Sequence, residues 1–108
     1  MDIRTLLEAR RFSSEKMQKV GIFETPRLFC DLYCLEPNQA QKTHVHEASD
    51  KVYVALEGRG TIQVGEENEK IGPGQAVLAP AGEVHGVRNP NAERLVLLVF
   101  MAPPPSHA

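Results

Sequence analysis

A chain of 108 residues has room for one hydrophobic core, and 42% hydrophobic with 24% charged residues is the composition of an ordinary globular domain. The net charge of −2 supplies no basic stripe, which argues against general binding to nucleic acid. No apolar run approaches the ~18–20 residues that cross a membrane as a helix, and the N-terminus lacks the apolar region of a secretory signal, so a cytoplasmic location is expected.

Residues 1–20 carry the only helical signal. Ile3, Leu6, Leu7 and Phe12 give a weak 3.6-residue stripe, and Ser13 or Ser14 is placed to cap a second short turn over 15–19 that Gly21 ends. Beyond it, glycines and prolines punctuate short runs with strand chemistry. Strands are expected over 28–36, 42–46, 52–56, 61–64, 69–71, 75–79, 84–88 and 94–101, with a hairpin turn at Gly65. Short, closely spaced strands without crossover helices indicate an antiparallel sandwich or barrel. The expected organisation is a helical arm over 1–20, an all-β antiparallel barrel over 21–102 and an extended tail over 103–108. His107 falls in that tail, where a solvated, inert role is expected.

Cys30 and Cys34 share one strand. They lie about 13 Å apart at ~3.3 Å per residue, too far for a disulfide, and read as buried apolar thiols. The run Leu95-Val96-Leu97-Leu98-Val99-Phe100 shows no polar alternation, so both its faces should be covered. A second sheet, the N-terminal arm or another subunit can supply the outer cover, and a homodimer is expected.

Three histidines carry the chemistry. His44 and His46 stand one residue apart in a strand-like stretch, so both imidazoles should face one side, about 6.6 Å apart along the backbone. That spacing suits two nitrogens converging on a cation. Two surface histidines would show the same pattern. His85 opens a later strand, after a glycine-rich turn.

Taken together, these segments resemble the two-motif signature of the cupin superfamily. Its second motif, G-x5-P-x-G-x2-H-x3-N, is met at Gly74, Pro80, Gly82, His85 and Asn89. Its first, G-x5-H-x-H-x3,4-E-x6-G, is met at His44, His46 and Gly58, and departs where Asn38 replaces the opening glycine and where the glutamate should stand. The resemblance implies a jelly-roll β-barrel with a divalent metal held inside it by His44, His46 and His85. Imidazole ligation suits zinc, iron, nickel or copper, and manganese is a further candidate.

At the glutamate position, one count reaches Lys51 and the other Asp50. Either Lys51 faces inward, or a bulge turns Asp50 in as a substitute ligand, or neither does. Glu47 should point to the opposite face and be exposed. Three neutral imidazoles leave a divalent ion its full charge, which favours an anionic ligand. An inward Lys51 can act as a base or hold a carboxylate, and it brings Tyr53 and Ala55 inward with it. Lys51 and Tyr53 are therefore candidate catalytic residues, although an outward lysine and a purely structural tyrosine fit the same pattern. Two functions follow: a metal-dependent enzyme of dioxygenase, isomerase or decarboxylase type acting on a small anionic molecule, or a non-catalytic module that binds a metal or small ligand for sensing, storage or accessory roles.

Overall fold

The structure, a computed structural model, describes residues 1–105. Nine strands follow a short 3₁₀ turn at Leu6–Ala9: β1 Gln18–Thr25, β2 Leu28–Leu35, β3 Ala40–His44, β4 Asp50–Glu57, β5 Gly60–Val64, β6 Glu67–Ile71, β7 Ala76–Ala79, β8 His85–Arg88 and β9 Leu95–Ala102. They form a five-stranded sheet in the order β1-β2-β9-β4-β7 and a four-stranded sheet in the order β3-β8-β5-β6. Every pairing is antiparallel. Among the described residues, no helix is long and apolar enough to cross a membrane.

The eight expected strands all form, with ends shifted by up to two residues. The helical arm does not. Only the 3₁₀ turn is present, and the stretch expected to make a second helical turn enters β1 instead. Val20 and Ile22 are β-branched, and the backbone over 18–21 finds ladder partners in β2, where Val20 faces Leu32. Gly21, expected as a stop, sits within the strand beside a register shift and opposite Asp31. His107 lies outside the described residues.

Alternation along β2 and β9 builds two cores. Tyr33, Leu35, Leu95, Leu97 and Val99 face between the sheets and pack with Tyr53, Ile62 and Val87. Cys30, Leu32, Cys34 and Val96 face outward and pack with Ile22. Burying one such leucine or valine is worth about 1.5–3 kcal/mol. The outer face is covered from within the chain by Leu6, Ala9 and Phe12, with Leu98 and Phe100 only half-buried beside them. Arg94 stacks over the Phe12 ring at 4.2 Å and Arg10 pairs with Glu57 at 2.7 Å, which pins the N-terminal segment across the sheet. Both cysteines are buried free thiols, as expected.

Candidate functional site

Three imidazoles meet between the sheets at one end of the barrel. His44 ends β3, His85 opens β8, and the two are direct cross-strand partners. His46 does not continue the strand as expected. It lies in the loop just beyond β3, where its carbonyl accepts a hydrogen bond from the Gly82 N–H at 3.0 Å. Gly82 holds φ +85°, so the loop before His85 is tied to His46 through a backbone turn that an L side chain would strain. The cluster is thus made by a cross-strand pair plus a loop residue.

The geometry suits a metal. The ring centroids lie 4.4–5.5 Å apart, and one ring nitrogen from each histidine falls within 4.8 Å of the others. The Nδ1–H of His44 donates to the Lys42 carbonyl at 2.9 Å and that of His85 to the Glu83 carbonyl at 3.0 Å. Each bond selects the tautomer that leaves Nε2 as a lone pair, as metal-ligating histidines require. His85 Nε2 is buried without any partner. A buried acceptor left unpaired is costly, and a cation satisfies it. Burial pushes His85 down to about 4 and also lowers His44 and His46, with Lys51 adding to each effect. All three are neutral at pH 7 and ready to coordinate.

The five-stranded sheet supplies the facing wall. Lys51 is 1% exposed and faces inward, while Asp50 lies at the surface and accepts a hydrogen bond from the Ala81 N–H at 2.9 Å. Of the alternatives at the glutamate position, Lys51 takes the interior, and Asp50 braces the loop that leads to His85. The Lys51 ammonium donates to Gln41 Oε1 at 3.1 Å and lies 5.1 and 5.0 Å from the Tyr33 and Tyr53 ring centres. Burial pushes it down to about 7, Lys19 pushes the same way, and Asp31 opposes both. Tyr53 and Ala55 face inward with it, and the Tyr53 hydroxyl is buried without a partner. Glu47 is exposed, as expected. A cavity of about 200 Å³ is lined by His44, His46, Lys51, Gln41, Tyr33 and Asp31 together with Lys19, Phe29, Met101 and Pro105.

The cupin domain family matches this chain over residues 31–101, more than half its length. The chain is a cupin. It is 52% identical to a protein of Thermus thermophilus known from a crystal structure, covering 97% of this chain and all of that one, with a TM-score of 0.95. An RmlC-like cupin of Desulfovibrio desulfuricans is 27% identical with a TM-score of 0.86, covering 96% of this chain and 98% of that one. An uncharacterized protein of Aquifex aeolicus is 29% identical over 102 residues, spanning 94% of this chain and 82% of its own length.

Both departures of this cupin from the family motif have a physical account. Asn38, at the opening glycine, holds φ +68°, and asparagine is among the few residues besides glycine that tolerate that region. Lys51 puts a cation where the motif has a carboxylate. The motif asparagine, Asn89, is fully buried and structural: its side-chain amide donates to the carbonyls of Glu93 at 2.7 Å and Leu35 at 3.3 Å. Tyr33, Gln41, Asp31 and Lys19 escaped the sequence reading. Asp31 had a signal, since it is the one charge within the apolar run of β2. Gln41 had none, because the register shift between Gln41 and His44 turns both side chains into the cavity against simple alternation. Gly86 permits that shift: a Cβ there would meet the Gln41 oxygen at 3.0 Å and Thr43 Cα at 3.1 Å.

Proposed function

We propose that this cupin binds one divalent transition metal through His44, His46 and His85 and acts as a metal-dependent enzyme on a small anionic molecule. The observation that carries the reading is the buried, unpartnered Nε2 of His85 aimed among two further imidazoles, in a cluster that among the described residues is made of histidines alone. A bound metal would supply Lewis-acid polarisation of a substrate oxygen while keeping its full double charge. The chain's own residues then bind and orient. Lys51, at about 7, is divided between its two protonation states near neutral pH, so it can hold a substrate carboxylate as the ammonium or take up a proton as the amine. Gln41 fixes the position of its nitrogen. The Tyr53 hydroxyl, which burial pushes upward and keeps protonated, has a hydrogen bond to offer.

The test is elemental analysis of the purified protein, followed by titration of zinc, iron, nickel, manganese and copper into the metal-free chain and into a His44→Ala, His85→Ala variant. One equivalent bound by the wild type and lost in the variant supports the site, whereas equal binding by both removes it. Metal-dependent conversion of small carboxylates, followed by NMR, then separates the enzyme from a sensing, storage or accessory module, which would bind without turnover. We further propose a cytoplasmic homodimer, supported by the two free thiols and by the half-buried Leu98 and Phe100 on the outer face. A sedimentation mass equal to one chain at micromolar concentration would overturn the dimer.

A further inference from the structure

The wall opposite the histidines carries a pair of opposite charges that do not neutralise each other. Asp31 lies on β2 and Lys51 on β4, and both face the same cavity. Asp31 stands opposite Val99, which stands opposite Tyr53, and Lys51 stands opposite Met101. The two backbone positions are therefore two strands and two residues apart, about 12 Å at ~4.8 Å per strand and ~3.3 Å per residue. The lysine stem spans part of that distance. No ion pair joins Asp31 to Lys51 or Lys19 among the described residues. Lys51 is instead anchored by Gln41 and two tyrosine rings. A half-buried carboxylate and a buried ammonium thus face a shared gap, each with hydrogen-bonding capacity to spare.

The gap is small. A volume of about 200 Å³ holds six or seven waters at ~30 Å³ each, the size of a short-chain acid. Lys51 is the partner for a ligand carboxylate. The Asp31 carboxylate can only accept, so it calls for a donor on the same ligand. A ligand ammonium would be repelled by Lys19, by Lys51 and by any metal at the histidines, whereas a hydroxyl meets no such penalty. We propose that the ligand of this cavity is a short hydroxycarboxylate, its carboxylate held by Lys51 and its hydroxyl donating to Asp31. This deepens the proposed function and rests on its placement of the ligand in the cavity beside the histidines. Asp31 is then the residue that sets specificity, since a polar group built to pair with a hydroxyl penalises the analogue that lacks it.

Binding of 3-hydroxybutyrate, butyrate and 3-aminobutyrate, measured by calorimetry at pH 6.5, where Lys51 is mostly the ammonium, on metal-free and zinc-loaded protein, tests this. The hydroxy acid should bind about tenfold to a hundredfold more tightly than butyrate, the range of one hydrogen bond to a charged group. Asp31→Ala should remove that preference while leaving butyrate binding in place, and Lys51→Met should weaken both acids. Unchanged urea midpoints in the Asp31 variant confirm that the fold is kept. Equal binding of the two acids, a preference that survives Asp31→Ala, tighter binding of 3-aminobutyrate, or no binding of any probe overturns the proposal. Discrimination that persists in metal-free protein that takes up no zinc would leave this assignment standing while the metal reading falls.

Discussion

Replacing Lys51 with methionine keeps the side-chain volume and removes the buried charge. Burial lowers Lys51 from 10.5 to about 7. At ~1.36 kcal/mol per pH unit, that shift corresponds to at most about 5 kcal/mol of unfavourable burial of the ammonium. The variant also gives up two contacts with tyrosine rings, each worth about 0.5–1 kcal/mol or more, and the hydrogen bond to Gln41. The net expectation is a metal-free variant about 2 kcal/mol more stable than wild type near pH 6. The sign follows from proton counting. Between about 7 and 10.5 the unfolded chain holds a proton on Lys51 that the folded chain has released, so wild-type stability rises with pH across that window. Below it both states are charged and the full penalty applies, and above it both are neutral and the penalty vanishes. The gap between variant and wild type should therefore be widest below pH 7, shrink as pH rises through the window, and reverse in favour of wild type by about pH 10.5, where the neutral amine keeps its contacts without the penalty. His44, His46 and His85, which Lys51 itself helps to lower, lie below 6.5 in wild type and therefore add little to the difference across this window, while Lys19 and Asp31 face position 51 in both proteins. Urea midpoints measured in chelator from pH 6 to pH 10.5 read the gap directly. A constant gap across that range would mean the ammonium is solvated and refute the reasoning.

Three further outcomes follow from the same geometry. Lys51→Glu removes a charge that repels a cation and restores a carboxylate at the motif position, so zinc affinity by calorimetry should rise about tenfold or more; equal affinities would mean position 51 does not sense the ion. His85→Ala should lower zinc affinity by at least about a hundredfold while far-ultraviolet circular dichroism stays unchanged, because Nε2 is the buried acceptor the ion satisfies. Gly58 holds φ +73°, and a Cβ there would fall within contact distance of the Arg94 carbonyl oxygen, so Gly58→Ala should cost about 3 kcal/mol or more in urea unfolding.

Much of this cupin is legible in the residues alone, for reasons that are local. Glycines and prolines mark the turns between strands, and the unalternating run of β9 announces a strand covered on both sides. The spacing of Gly74, Pro80, Gly82, His85 and Asn89 identifies the family, because turn geometry dictates those residues one by one. The inward face of β4 also follows from alternation, which places Lys51, Tyr53 and Ala55 together. What the sequence could not decide depended on contacts between distant segments. Residues 15–19 lean toward a helix by short-range pattern, and only the ladder with β2 draws Gln18 and Lys19 into a strand. Part of the cover over β9 comes from the chain's own Leu6, Ala9 and Phe12, one of three suppliers that periodicity leaves equal. His44 and His46 converge with His85 through a cross-strand pair and a loop tied to Gly82, not through two positions of one strand. Gln41 enters the cavity through a register shift, and Asp31 reaches the same space from a strand two places away from Lys51. Alternation and turn chemistry act between neighbours in the chain, whereas the cavity's charges were brought together by the closing of two sheets, whose pairings only the folded molecule specifies.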